Sequence, residues 1–166
     1  MNIASRKLTE ADLEQMKTLL FNEGPNEWNY LTEESVNEQL TLIREGQALA
    51  VVAEDNEIMG FAVLIFGSAC PEKLSSYQSL DEIAYINDVV VSQRLSGQGV
   101  GTKLLLKCSS IAKDKNFNAV YIERHEENLA SAGMMRKAGF ELVETTYDPA
   151  KRFSGSRNTS ILMKRP

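Results

Sequence analysis

Between Val89 and Thr102 a run of β-branched residues passes, through glycines at every second position, into a helix-forming segment. Val89-Val90-Val91 reads as the end of a strand. Gly97, Gly99 and Gly101 follow, and Val100, Leu104, Cys108 and Ile111 recur at helical spacing. A chain that ends a strand and starts a helix here has to build a mixed fold. Glycine lets backbone approach a ligand with no Cβ in the way, and a helix N-terminus presents unpaired N–H groups to an anion. Together they make a pyrophosphate cradle that needs no basic side chain. Alone, the same glycines also fit a plain flexible turn. Spacing excludes two familiar phosphate loops. Gly97 to Lys103 does not make Gly-x-x-x-x-Gly-Lys-Ser/Thr, and the third glycine follows the second too closely for Gly-x-Gly-x-x-Gly. That dinucleotide fingerprint also belongs in a first βαβ unit, not ninety residues into a chain.

The remaining elements fall around this segment. Ile3–Lys7 reads as a first strand. Thr9 is an N-cap with Asp12 completing a capping box, and Leu13, Met16, Leu19 and Leu20 carry a helix to about Phe21. Thr32, Glu33 and Glu34 open a second helix that ends near Gly46. Ala48–Ala53 and Glu57–Phe66 form a hairpin across Asp55-Asn56, Ser68–Ser79 is a loop, and Ile83–Val91 is a further strand. A third helix spans about Gln98 to Lys115. Ala119–Glu123 is a strand, Leu129–Ala138 a fourth helix, and Phe140–Tyr147 and Thr159–Lys164 are closing strands. This order predicts a mixed sheet covered by helices, in the α+β or α/β class.

Length and composition narrow the function classes. The 166 residues suit one domain spanning 1–166. No apolar run approaches the ~18 residues that span a bilayer, and Met1–Glu10 lacks the apolar core of a secretory signal. Cys70 and Cys108 match no metal or redox spacing, so a metal site is not expected and a cytoplasmic location is. A net charge of -5 disfavours nucleic-acid binding. Residues 1–60 carry twelve Asp/Glu against four Lys/Arg, whereas the remainder carries eleven against fourteen.

Tyr85-Ile86-Asn87-Asp88-Val89-Val90-Val91, followed by Ser96-Gly97-Gln98-Gly99-Val100-Gly101, resembles the acetyl-CoA motif of the GNAT superfamily of N-acetyltransferases. A second segment, Asn128 to Phe140, resembles that superfamily's Asn-led helix ending in Lys-x-Gly-Phe, here Lys137-Ala138-Gly139-Phe140. The element order matches over nearly the whole chain. The resemblance implies a GNAT-like fold: a central, mostly antiparallel sheet of six to seven strands, splayed between strands 4 and 5 and flanked by about four helices. It implies acetyl-CoA as cosubstrate, with the pantetheine arm pairing with main-chain groups of Val89 and Val91. The phosphates map to the N–H groups of Gly97, Gln98, Gly99, Val100, Gly101 and Thr102, and Asn128 maps to a pantetheine contact. A side chain at Gly99 or Gly101 is expected to obstruct the phosphates.

Two departures stand out. Ser96 replaces the motif's usual Arg or Gln, and Met135 occupies the position of the family's usual proton-donating Tyr. Met has no proton to give, so Met135 reads as a packing residue. For a base, period-two alternation places Tyr85, Asn87, Val89 and Val91 on one face, with Asp88 opposite unless a bulge rotates it. Tyr85, Asn87 and His125 are weak candidates, His125 for its intrinsic pKa and its expected place at the mouth of the splay. Tyr121 and Tyr147 stay open as donors.

The acceptor loop of the family maps to Asn22–Leu31. Trp28 and Tyr30 there either bind substrate or staple the first two helices. Lys151, Arg152 and Arg157 form a basic segment that can hold an acidic acceptor group or a 3′-phosphate, or be simply solvated. The acidic first sixty residues predict a cationic acceptor over an anionic one. The resulting expectation is acetyl transfer to a primary amine of a small molecule, peptide or protein. The alternative is a non-catalytic acyl-CoA-binding sensor on the same fold. A homodimer is left open.

Overall fold

Alternation within the strands sorts the apolar residues into two sets, one for each face of a single sheet. In the computed structural model, which describes all residues from Met1 to Pro166, the strands are β1 (Asn2–Ser5), β2 (Ala48–Asp55), β3 (Glu57–Phe66), β4 (Ile83–Val91), β5 (Ala119–His125), β6 (Glu141–Tyr147) and β7 (Asn158–Lys164). The helices are α1 (Glu10–Glu23), α2 (Glu33–Arg44), α3 (Val100–Asp114) and α4 (Leu129–Lys137). The sheet order is β1-β2-β3-β4-β5-β7-β6, and only the central β4–β5 pair is parallel.

Ala50, Val52, Phe61, Val63 and Ile65 face α1 and α2, which bring Leu13, Met16, Leu20, Val36 and Leu40 to that core. Val51, Ala53, Ala62 and Leu64 face α3 and α4, which bring Val100, Leu104, Leu105, Cys108 and Met135. Both N-terminal helices start where the sequence places them. Thr9 and Asp12 exchange the reciprocal hydrogen bonds of a capping box, and Thr32 does the same with Ser35. The β2–β3 hairpin turns at Asn56, which adopts a φ of 69°. The segment after β3 is anchored rather than loose, because Cys70, after one short 3₁₀ turn, and Leu74, within the next, are buried in the first core.

Two irregularities in β4 create the site. Its pairing with β5 runs only from Ile83↔Ala119 to Ile86↔Ile122, so the strands part beyond Ile86. One edge of Asn87–Val91 is left without a strand partner. On the other edge the register with β3 slips between Ala62↔Val89 and Leu64↔Ile86, which leaves one extra residue in β4. This bulge corrects the face assignment made from simple alternation. Tyr85 and Val90 share the α1/α2 face, while Val89 and Val91 join Ile86 on the α3/α4 face.

Candidate active site

The glycine segment supplies the first wall. Gly97 and Gly99 have φ of 78° and 71°, a conformation that side-chain-bearing residues adopt at a cost, and a Cβ on either would meet nothing within 4 Å. The space above them is open. Gly99 is the N-cap of α3, and the N–H groups of Gly97, Gly99, Val100, Gly101 and Thr102 have no acceptor within the protein. An N–H row of this kind, at a positive helix end, fits a phosphate group. Gln98 differs: its N–H is already donated to the Leu95 carbonyl at 3.2 Å. Gly101 differs too, because a Cβ there would lie 2.5 Å from Met134 Sδ on α4. Its lack of a side chain serves the close approach of α3 and α4.

The second wall is the gap between β4 and β5, and a cleft of about 440 Å³ opens beside it. Tyr85, Asn87, Asp88 and Val89 of β4 line the cleft together with Glu123 and Arg124 of β5. Asn128, Met134 and Met135 come from α4, Tyr30 and Leu31 from the α1–α2 loop, and Lys151, Arg152 and Phe153 from the β6–β7 loop. Asn128 caps α4, its Oδ1 accepting from Ser131 N–H at 3.2 Å, which leaves its Nδ2 uncommitted. Met135 is buried with Leu104 and Phe140, consistent with packing.

Charge inside the cleft is organised around Glu123. Its carboxylate is ion-paired with Lys73, lies 2.8 Å from Lys151 Nζ, and accepts from the Tyr85 hydroxyl at 2.7 Å. Burial pushes its pKa up, but Lys151 and Lys73 outweigh that and hold it at about 2. Tyr85 is driven the other way, first by burial and then by the Glu123 charge, and stays protonated. It therefore serves as a hydrogen-bond donor, not as a base. Asp88, carried into the cleft by the bulge, has its pKa raised by burial, while the Gln39 amide and Lys151 pull it partly back. Asn87 donates from Nδ2 to Gln39 Oε1 at 2.7 Å.

His125 does not stand at the mouth of the cleft. It ends β5 paired to Thr159, is fully buried, and uses both ring nitrogens. Nδ1 accepts from Glu127 N–H at 3.0 Å, so the other nitrogen, 2.8 Å from the Ser154 carbonyl, carries the hydrogen. No lone pair remains to take a proton from an amine. Trp28 packs on this ring at a centroid distance of 4.7 Å and lies outside the cleft, whereas Tyr30 is exposed at its rim against Phe153. Tyr121 donates to Gln78 and Tyr147 is exposed on β6, so neither reaches the site.

A family model for the acetyltransferase (GNAT) family matches residues 13–140. The chain belongs to the GNAT acetyltransferase family. Its fold is similar to that of a ribosomal-protein-alanine N-acetyltransferase from Brucella melitensis, with a TM-score of 0.75 at 20% identity over 100% of both chains. A Bacillus subtilis acetyltransferase in complex with CoA gives 0.72 at 18% identity, covering 99% of this chain and 98% of that one. An aminoglycoside acetyltransferase in complex with coenzyme A and kanamycin gives 0.75 at 20% identity, covering 99% and 95%. A search of curated protein sequences finds no match.

In this GNAT chain, two cleft residues escape a reading of the sequence alone. Asp88 is assigned to the wrong face by period two, and only the register slip against β3 rotates it. Arg152 sits in an irregular loop, where no periodicity reveals its burial. Its sole sequence signal is membership of the Lys151–Arg157 basic segment.

Proposed function

We propose that this chain transfers an acetyl group from acetyl-CoA to a primary amine, with Asp88 as the general base. The observation that carries this reading is the coincidence of three features: an open β4 edge, an unsatisfied N–H row at α3, and a cleft-lining carboxylate on β4 whose proton affinity burial has raised. Acetyl-CoA supplies a thioester carbonyl that an amine can attack. The N–H groups of Gly97, Gly99, Val100, Gly101 and Thr102 hold its phosphates. The free main-chain edge at Val89 and Val91 pairs with its pantetheine arm, and Asn128 Nδ2 offers a further donor. Asp88 accepts the proton that the amine must lose as its nitrogen bonds to the carbonyl carbon. Burial raises its pKa, which makes its carboxylate a better proton acceptor. With Met at position 135, the departing sulfur takes its proton from water.

The test is thiol release from acetyl-CoA over a panel of amines, with Asp88→Asn beside the wild type. Asp88→Asn should lower kcat by ~10²–10⁴-fold, the usual contribution of a positioned base. CoA affinity should be unchanged. The wild-type rate should rise with pH through the deprotonation of Asp88, and the variant should lose that limb. CoA binding without turnover of any amine would favour the sensor reading, whose motivating feature is Met135.

A further inference from the structure

Arg152 is 4% exposed and lines the cleft beside Tyr85, Asn87 and Asp88. Its Nε donates to Thr159 Oγ1 at 2.8 Å, and that hydroxyl donates onward to Asp148 Oδ2 at 2.8 Å. The two Nη groups have no acceptor in the protein, and no carboxylate forms an ion pair with the guanidinium. Glu123 and Asp148 act on its charge through space, but Glu123 is already engaged by Lys73, Lys151 and Tyr85. Lys73, Arg124, Lys151 and Arg152 thus confront Asp88, Glu123 and Asp148, leaving one positive charge in excess. Buried positive charge in excess of the local carboxylates is costly unless a ligand balances it.

The α1–α2 loop does not change this balance. It contributes Asn29, Tyr30, Leu31 and Thr32 to the cleft, but no carboxylate. Glu23 is turned away to accept from Gln93 N–H, and Glu33 pairs with Lys17. The acidic side chains Glu23 and Glu33 therefore lie outside the pocket, which removes the ground for expecting a cationic acceptor.

We infer that the acceptor is an amine that also carries a carboxylate, and that Arg152 is the residue that binds it. The proposal rests on the acetyl-transfer reading above. With Nε anchored by Thr159, the Nη1/Nη2 edge of the planar guanidinium remains to meet both carboxylate oxygens in parallel. Asp88 then lies on the same cleft wall to receive the amine's proton. An amino acid with a free carboxylate has both groups; its amide lacks the anion.

The experiment compares free amino acids with their carboxamides, and includes polyamines, in wild-type protein by thiol release from acetyl-CoA. The free acids should exceed their amides in kcat/KM by at least tenfold. In Arg152→Gln the ratio should fall towards one, mainly through KM. Arg152→Lys keeps the buried charge should the glutamine variant fail to fold, and should lose most of the ratio because it lacks the fork. Amides or polyamines turned over as fast as the acids would overturn the role of Arg152 while leaving acetyl transfer standing. A uniform loss in both substrate types, with the ratio preserved, would mark Arg152 as purely structural. Failure of every amine, acidic or not, in protein that binds CoA would overturn the acetyl-transfer reading itself, and this proposal with it.

Discussion

The Tyr85 hydroxyl donates to Glu123 Oε2 at 2.7 Å across the place where β4 and β5 stop pairing. Tyr85 lies one residue before the last paired position of β4, and Glu123 one residue after that of β5. The bond thus joins the diverging strands through side chains just where the main chains separate. Lys73 and Lys151 add their charges to the same carboxylate from the loop after β3 and the loop after β6.

Tyr85→Phe removes the donor and keeps the ring. A hydrogen bond to a charged group contributes about 1.5–3 kcal/mol. Both lysines remain on Glu123, so the loss should sit near 1.5 kcal/mol in urea unfolding at neutral pH. An unchanged midpoint would mean that the lysines alone satisfy the carboxylate.

Glu123 also sets an acid limit on stability. Its folded pKa, about 2, lies below the ordinary value of 4.5. A depressed carboxylate contributes stability that is complete above the unfolded pKa and is lost as pH falls through the folded one. Unfolding free energy should therefore decline between about pH 4.5 and about pH 2. Glu123→Gln should flatten that decline, and parallel pH curves for the two proteins would contradict it.

Gly99 and Gly101 should fail differently. Gly99→Ala places a methyl group in open space at a φ of 71°, which costs about 1–2 kcal/mol of strain and intrudes on the N–H row. CoA affinity by calorimetry should drop at least tenfold, about 1.4 kcal/mol. Gly101→Val instead drives side-chain atoms against Met134, an overpacking that costs about 1–3 kcal/mol. Its main effect should be on melting temperature. Equal losses of affinity at equal stability would show that both glycines face the phosphates.

Met135→Leu nearly conserves volume in the α3/α4 core and should cost under about 1.5 kcal/mol while retaining most turnover. A large fall in kcat at normal stability would give the thioether a part in the chemistry.

The elements governed by neighbouring residues were legible in the sequence. Thr9 and Asp12 announce α1 because a capping box needs only four consecutive residues, and β3 and β4 run over the predicted Glu57–Phe66 and Ile83–Val91. The run from Val89 to Thr102 marks the strand-to-helix turn with its glycines for the same reason: strand propensity, glycine freedom and helix periodicity are all local. Tertiary structure decided what depends on partners distant in the chain. The bulge that brings Asp88 into the cleft exists only as a register against Ala62 and Leu64, so alternation within β4 cannot reveal it. His125 offers a titratable ring in the sequence, yet Ser154 and Glu127 take up both its nitrogens. Arg152 reads as one more surface cation until Thr159, itself held by Asp148, takes its Nε. Its Nη groups then remain without a partner in the cleft, because burial and charge pairing are properties of what packs around a residue and not of the residues beside it.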